Sequence, residues 1–265
     1  MPDPTTVTRV AAVSGAAGGL GAEIAERLAR AGFSIALLDL HDAGLEATRA
    51  LLEERHPGVQ VETVAADLSE EDAVVAAFHR IDERFGRLDA LVNTAGGSGT
   101  DPVRSLADLG VDVWRRVVDN NLTSAFLCSR EAVQLMLRHD YGRIVNFSSA
   151  VANGLSGPSG TVGARLPYAA SKAAVNGFTK QLAKDLGTTG ITVNAVSPGL
   201  VLPDAGRVRD VFEALPADAQ AATRAAIPLG RTGTGGEIAE AVAYLVSEHA
   251  GFTSGAVLAV DGAAT

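Results

Sequence analysis

The chain predicts an α/β fold with one doubly wound parallel sheet. Three observations predict it. About seven short apolar runs alternate with amphipathic stretches along 265 residues, the pattern of strands buried on both faces by the helices between them. Glycine and polar residues gather just past the carboxyl ends of those runs: Gly15 to Gly21, Asp39, Asp67-Leu68, Asn93 to Gly97, Ser148-Ser149 and Ser197-Pro198-Gly199. Open sheets of this kind bind ligands there. No long linker, internal repeat or change of composition divides residues 1–265, so one domain is expected.

The elements follow in order. Residues 1–8 are a short polar tail without the apolar stretch of a signal peptide. Arg9 to Ser14 reads as a buried strand that stops at Gly15-Ala16-Ala17-Gly18-Gly19-Leu20-Gly21. An amphipathic helix follows, with Ile24, Leu28 and Ala31 on one side and Gly32 closing it. Ser34 to Leu38 is the next strand and ends at Asp39. Strand, glycine turn, helix, strand and acid within about thirty residues is the context a dinucleotide-binding fingerprint requires. Glycines let the backbone approach a pyrophosphate, and a helix N-terminus offers it free N–H groups. Asp39 suits ribose hydroxyls and repels a 2′-phosphate. Leu40 and His41 follow it with no Arg or Lys, so NAD is favoured over NADP.

Residues 43–55 read as a helix closed by His56-Pro57-Gly58. Gln60 to Ala65 is a strand ending at Asp67-Leu68, and a helix capped near Ser69 runs to about Phe85. Leu88 to Val92 is a strand ending in Asn93-Thr94-Ala95-Gly96-Gly97. Asp108 to His139 is long and mostly helical, with Asn120-Asn121 inside it, an unusual pair for a buried helix middle. Gly142 to Phe147 is a strand ending at Ser148-Ser149. Residues 150–167 hold four glycines and two prolines, so a loop is expected, after which Tyr168 opens a helix to about Gly187. Ile191 to Val196 is a strand, 203–227 a candidate lid, Glu237 to Ser247 a helix and Ala256 to Val260 a last strand.

Composition narrows the function. A net charge of −9 argues against a nucleic-acid or anionic-membrane surface. No run approaches the ~18 apolar residues of a membrane span, so a cytoplasmic location is expected. One cysteine, Cys128, leaves no internal disulfide, and the five histidines lack metal-ligand spacing, so no metal is expected.

Tyr168 and Lys172 stand four residues apart on a helix, so a phenol and an ammonium share one face. With the glycine turn, Asp39 and Ser149 around it, the pair reads as a proton-transfer group. The whole pattern, over about residues 9–262, resembles the short-chain dehydrogenase/reductase family in its single-domain form, with a Rossmann fold. The motifs are Ser14 to Gly21, Asp67-Leu68, Asn93-Thr94-Ala95-Gly96, Asn121, Ser149, Tyr168 with Lys172, and Ser197-Pro198-Gly199. The resemblance implies that Tyr168 exchanges the proton, with its pKa lowered by Lys172 and the oxidised nicotinamide. It implies that Lys172 also holds the nicotinamide ribose. Ser149 would stabilise the substrate oxygen, and Asn121 would hold a water linking Lys172 to solvent. Cofactor contacts carried over are Gly15, Gly18, Gly19, Leu20, Asp39, Asp67 and Leu68 at the adenine, Asn93 at the ribose or backbone nearby, Ala95, Gly96, Tyr168, Lys172, Pro198, Gly199 and Val201. Homotetramers (or homodimers) packed through the helices around 108–138 and 168–187 are implied as well.

Departures mark where specificity lies. Ser14 replaces the usual Thr, Thr94 replaces an Asn, and Pro203 stands where a Thr often meets the cofactor. Ser149 and Tyr168 are 19 apart, wider than usual, with the extra residues in the 150–167 loop. The expected activity is an NAD-dependent alcohol dehydrogenase or carbonyl reductase, oxidation being the favoured direction. Gly97, Ser98, Val151, Leu155, Gly199 and the lid would line a mostly apolar pocket. Arg165, Arg207 and Arg209 could instead meet an anionic substrate group, though loop arginines are usually just solvated. An NADPH-dependent 3-oxoacyl-thioester reductase is the alternative, and a non-catalytic dinucleotide-binding regulator is the alternative of another class.

Overall fold

The computed structural model describes residues 8–99, 101, 103, 105–154 and 165–265. Its strands there are β1 (Val10–Ser14), β2 (Ser34–Asp39), β3 (Val61–Ala65), β4 (Ala90–Asn93), β5 (Gly142–Phe147), β6 (Ile191–Pro198), β7 (Val201–Leu202), β8 (Gly233–Thr234) and β9 (Val257–Val260). Seven of them form one parallel sheet in the order β3-β2-β1-β4-β5-β6-β9. The order reverses between β1 and β4, and a crevice opens at their carboxyl ends. β7 and β8 pair separately, a small sheet that the sequence reading lacked.

The helices are α1 (Gly19–Arg30), α2 (Asp42–Arg55), α3 (Glu71–Phe85), α4 (Val111–Val118), α5 (Ser124–Met136), α6 (Arg165–Asp185), α7 (Arg207–Glu213), α8 (Ala217–Ala225) and α9 (Gly235–Val246). They cover both sheet faces because strand residues alternate. Ile35 and Leu37 join Val13, Val92 and Val145 in a core under α1 and α9. Ala36 and Leu38 join Leu91, Ile144 and Val193 in a second core under α3 and α5. Local signals set the helix ends: Gly86 at φ 68 stops α3, and Thr234 with Glu237 closes a capping box on α9.

Several boundaries differ from expectation. Ser69 does not cap α3. Its hydroxyl and its N–H both turn back to Asp67 Oδ1, and Glu70 is the cap residue. The 108–139 stretch is not one helix. A π turn (Asp119–Thr123) joins α4 to α5, with Asn121 buried inside it. α6 begins at Arg165, so Tyr168 lies in its first turn and does not open it. Pro167 is tolerated there because a first-turn residue needs no N–H partner. The 203–227 stretch folds as the two short helices α7 and α8. Leu155 lies outside the described residues. No helix among those described is long and apolar enough to cross a membrane.

Candidate active site

The crevice between β1 and β4 is a cleft of about 740 Å³. Its floor is the glycine turn. Gly15 sits at φ +68, and a Cβ there would lie 2.9 Å from Ala95 N, so the two strand ends meet only because residue 15 is glycine. Ser14 Oγ accepts the Ala95 N–H, and Thr94 Oγ1 donates to Ser14 O, so the two substituted positions lock the strand ends together. Gly18, which caps α1, differs. Its backbone is extended and a Cβ there would meet nothing within 4 Å. The protein alone does not demand glycine at 18, but a group approaching from the cleft would. The first turn of α1 has no acidic residue and no capping side chain. Its free N–H groups therefore suit an anion. These observations fit a pyrophosphate.

Asp39, at the end of β2, lines the cleft with Leu40 and His41. Its Oδ2 accepts the Ala17 N–H at 3.1 Å and its Oδ1 the His41 N–H at 3.1 Å. Both carboxylate oxygens are thus fixed in place. Gly15, Gly18, Gly19, Leu20, Asp67, Leu68, Ala95, Gly96 and Val201 line the same cleft. Asn93, expected at the ribose or the backbone nearby, is not among the residues lining the cleft. It is buried, and its Nδ2 donates to Asn146 Oδ1 at 2.9 Å and Ser129 Oγ at 3.1 Å, tying β4 to β5 and α5. Pro198 and Gly199 pack on the sheet's last strand: the Gly199 N–H donates to Val260 O, and a Cβ at 199 would lie 2.8 Å from Asp261 Cα.

Beyond the cleft lie the proton-transfer candidates, with Phe147 as the link. Phe147 lines the cleft, and its carbonyl accepts a 2.8 Å hydrogen bond from Lys172 Nζ. Lys172 is 4% exposed, and burial pushes its pKa down to about 8. Its Nζ lies 5.6 Å from the Tyr168 ring centroid. Tyr168 hydrogen-bonds Ser149, while Ser148 is turned away, its Oγ donating to Lys172 O. Burial pushes the Tyr168 phenol up, and the Ser149 hydrogen bond offsets only part of that. Without a bound cofactor, burial thus outweighs that bond and the phenol lies above its ordinary value. Asn121 serves the neighbouring loop: its Nδ2 donates to Val117 O and Gly97 O, and its Oδ1 accepts the Gly97 N–H. α6 packs against the π turn that carries it.

The loops hold what the sequence did not reveal. Pro203, Ala205, Gly206 and Arg207 line the cleft, and Ala205 O and Gly206 come against Gly19. The Asp204 N–H donates to Glu23 Oε1 on α1. Arg116 and Asp119 also line the cleft. Of the arginines proposed for an anionic substrate, Arg209 is engaged, donating to Pro203 O and pairing with Glu213. Contacts of this range have no local sequence signal beyond the Pro203 and Gly206 that mark the loop.

Known proteins resemble this chain over nearly its whole length. Residues 15–265 match the family described as Enoyl-(Acyl carrier protein) reductase. The chain is 39% identical over 257 residues to cis-4-hydroxycyclohexanecarboxylate dehydrogenase of Sinomonas cyclohexanicum, covering 97% of this chain and 96% of that protein. It is 37% identical over 258 residues to 2-dehydro-3-deoxy-L-rhamnonate dehydrogenase (NAD(+)) of Sphingomonas sp. strain SKA58, covering 97% and 95%. A crystal structure of a variant actinorhodin polyketide ketoreductase with NADPH superposes with a TM-score of 0.86 at 34% identity, covering 97% of each chain. The chain belongs to the short-chain dehydrogenase/reductase family, oxidoreductases that move a hydride between a nicotinamide dinucleotide and a CH–OH or carbonyl group.

Proposed function

We propose that this protein is an NAD-dependent dehydrogenase of a secondary alcohol, working reversibly on the ketone. The observation that carries the cofactor choice is Asp39, a carboxylate fixed by two backbone N–H groups in the cleft with Leu40 and His41 beside it. A 2′-phosphate there would meet like charge and no Arg or Lys next to it.

The nicotinamide, when bound, supplies the hydride acceptor or donor and, oxidised, a positive charge. The chain's residues do the rest. Tyr168 takes the alcohol proton or returns it to the carbonyl oxygen. Ser149, bonded to the same phenol, holds the substrate oxygen as charge develops on it. Lys172, charged below about pH 8, favours the phenolate and holds the nicotinamide ribose. Asn121 holds the water that links Lys172 to solvent, a role supported by the packing of α6 on its turn. Because burial raises the phenol pKa, oxidation needs the positive charge of the oxidised ring to draw it down. Gly15, Gly18, Gly19 and Leu20 take the pyrophosphate. Asp67 and Leu68 take the adenine, and Pro198, Gly199 and Val201 the nicotinamide side.

The test is turnover of a panel of secondary alcohols and ketones with NAD(H) and NADP(H) side by side. The panel includes cis-4-hydroxycyclohexanecarboxylate, a 3-oxoacyl thioester and an enoyl thioester. A preference for NAD(H) of about ten-fold or more, about 1.4 kcal/mol, is expected. A preference for NADPH with the 3-oxoacyl thioester would replace this reading with that of a thioester ketoreductase, the activity named for a similar 3-oxoacyl-[acyl-carrier-protein] reductase. Cofactor binding without turnover on any substrate would favour a non-catalytic regulator.

We also propose a cytoplasmic homotetramer. Exposed apolar side chains on α4 and α5, among them Val111, Trp114 and Phe126, support such contacts. Sedimentation at micromolar concentration distinguishes tetramer, dimer and monomer.

A further inference from the structure

We infer that Arg207 is a clamp on the cofactor's pyrophosphate, closing the 203–208 segment over the glycine turn. The inference rests on the dinucleotide reading of the cleft. Gly206 comes against Gly19, the first residue of α1: a Cβ at Gly206 would lie 3.9 Å from Gly19 Cα. Arg207, the next residue, lines the same cleft as the uncapped N-terminus of α1. The segment is tied down on either side, by the Asp204 N–H on Glu23 and by Arg209 on Pro203 O.

Charge makes the position informative. The cleft is lined by Asp39, Asp67 and Asp119, in a chain of net charge −9. A counter-charge besides the helix N–H groups would offset those carboxylates toward a pyrophosphate entering the cleft. Two arginines line the cleft, and Arg116 is already paired with Asp101 at 2.7 Å. Among the described residues, nothing hydrogen-bonds or ion-pairs with Arg207. Its neighbours on α7 and α8 differ: Arg209 is paired with Glu213, and Arg224 bonds Gln220 and stacks on Phe212. An arginine fork matches phosphate oxygens two at a time, and a charge-assisted bond of that kind outweighs a neutral one. The site faces solvent, so the gain is reduced by salt.

The experiment measures the affinity of wild type and Arg207→Gln for NADH, ADP-ribose and adenosine by calorimetry at two salt concentrations. Substrate KM is measured alongside at saturating cofactor. The clamp predicts that NADH and ADP-ribose weaken together, by roughly ten-fold at low salt. It also predicts that adenosine is unaffected and that the salt dependence flattens in the variant. Arg207→Lys recovers part of the loss. Unchanged NADH and ADP-ribose affinities overturn the clamp, whether or not the substrate KM rises. An equal loss for adenosine overturns it too, since the effect would then be a distorted cleft. A wild type that binds neither NADH nor ADP-ribose removes the dinucleotide reading and this inference with it.

Discussion

At the inner end of the cleft, Lys172 and Asn121 are buried and their polar groups are bound to backbone carbonyls of β5, of α4 and of the loop after β4. At the outer end, α7 and α8 are short helices with Val208 and Val211 half exposed and few long-range ties. The inner groups hang on strand ends and on a 21-residue helix, so their geometry is set by the sheet. The outer segment can change sequence without disturbing that sheet. Chemistry common to a family belongs on the first kind of support, and choice of substrate on the second.

The comparison breaks most sharply at Gly96. A Cβ there would lie 2.3 Å from Asn121 Oδ1, at φ +129. Gly96→Ala should cost about 2–4 kcal/mol of folding stability and disturb the Asn121 clasp. At the adjacent Gly97 a Cβ meets nothing within 4 Å, so Gly97→Ala should cost under about 1 kcal/mol. Urea midpoints of the two variants check the contrast. An equal cost would mean that the loop yields.

Lys172 gives a pH signature of the inner end. Its pKa falls from 10.5 unfolded to about 8 folded. Between these values the folded state binds fewer protons than the unfolded one, so stability rises with pH across that window. Below about pH 8 the buried ammonium is charged and its cost is fully felt. Lys172→Met should remove the rise, which is on the order of 3 kcal/mol, as read from urea denaturation at pH 7.5 and pH 10. A variant with the same rise would place the titration elsewhere.

Ser149→Ala sharpens the split between chemistry and binding. It should lower kcat about a hundred-fold, roughly 2.7 kcal/mol, with NADH affinity unmoved, as steady-state rates and fluorescence titration would record. A change in NADH affinity with kcat intact would give Ser149 to the cofactor.

The inner end was the more legible half. Tyr168 and Lys172 are local in sequence, and one helix turn brings them together whatever surrounds it. The glycine turn and Asp39 are read from a single strand–helix–strand unit. The alternation of runs predicts one parallel sheet with helices on both faces, but the order of its strands comes from the structure. The direction of the Asn93 side chain was not legible because a polar residue at a strand end can point into the cleft or beneath it, and the amide of Asn146 holds it beneath. The π turn was missed because its cause is the Asn121 side chain bonding Val117 O, invisible in an apolar periodicity. The start of α6 was placed late because a proline three residues into a helix looks like a loop residue. Arg207 lines the cleft only through tertiary contact, which spacing in the sequence does not encode.

Tyr168→Phe tests the central claim most directly, with turnover and NADH affinity measured on one preparation. The phenyl ring keeps the packing and loses the hydroxyl that bonds Ser149. Turnover should fall by roughly a thousand-fold or more, while NADH binds within about two-fold of wild type. Turnover that survives the change, or NADH binding lost along with it, would contradict Tyr168 as the proton-transfer group.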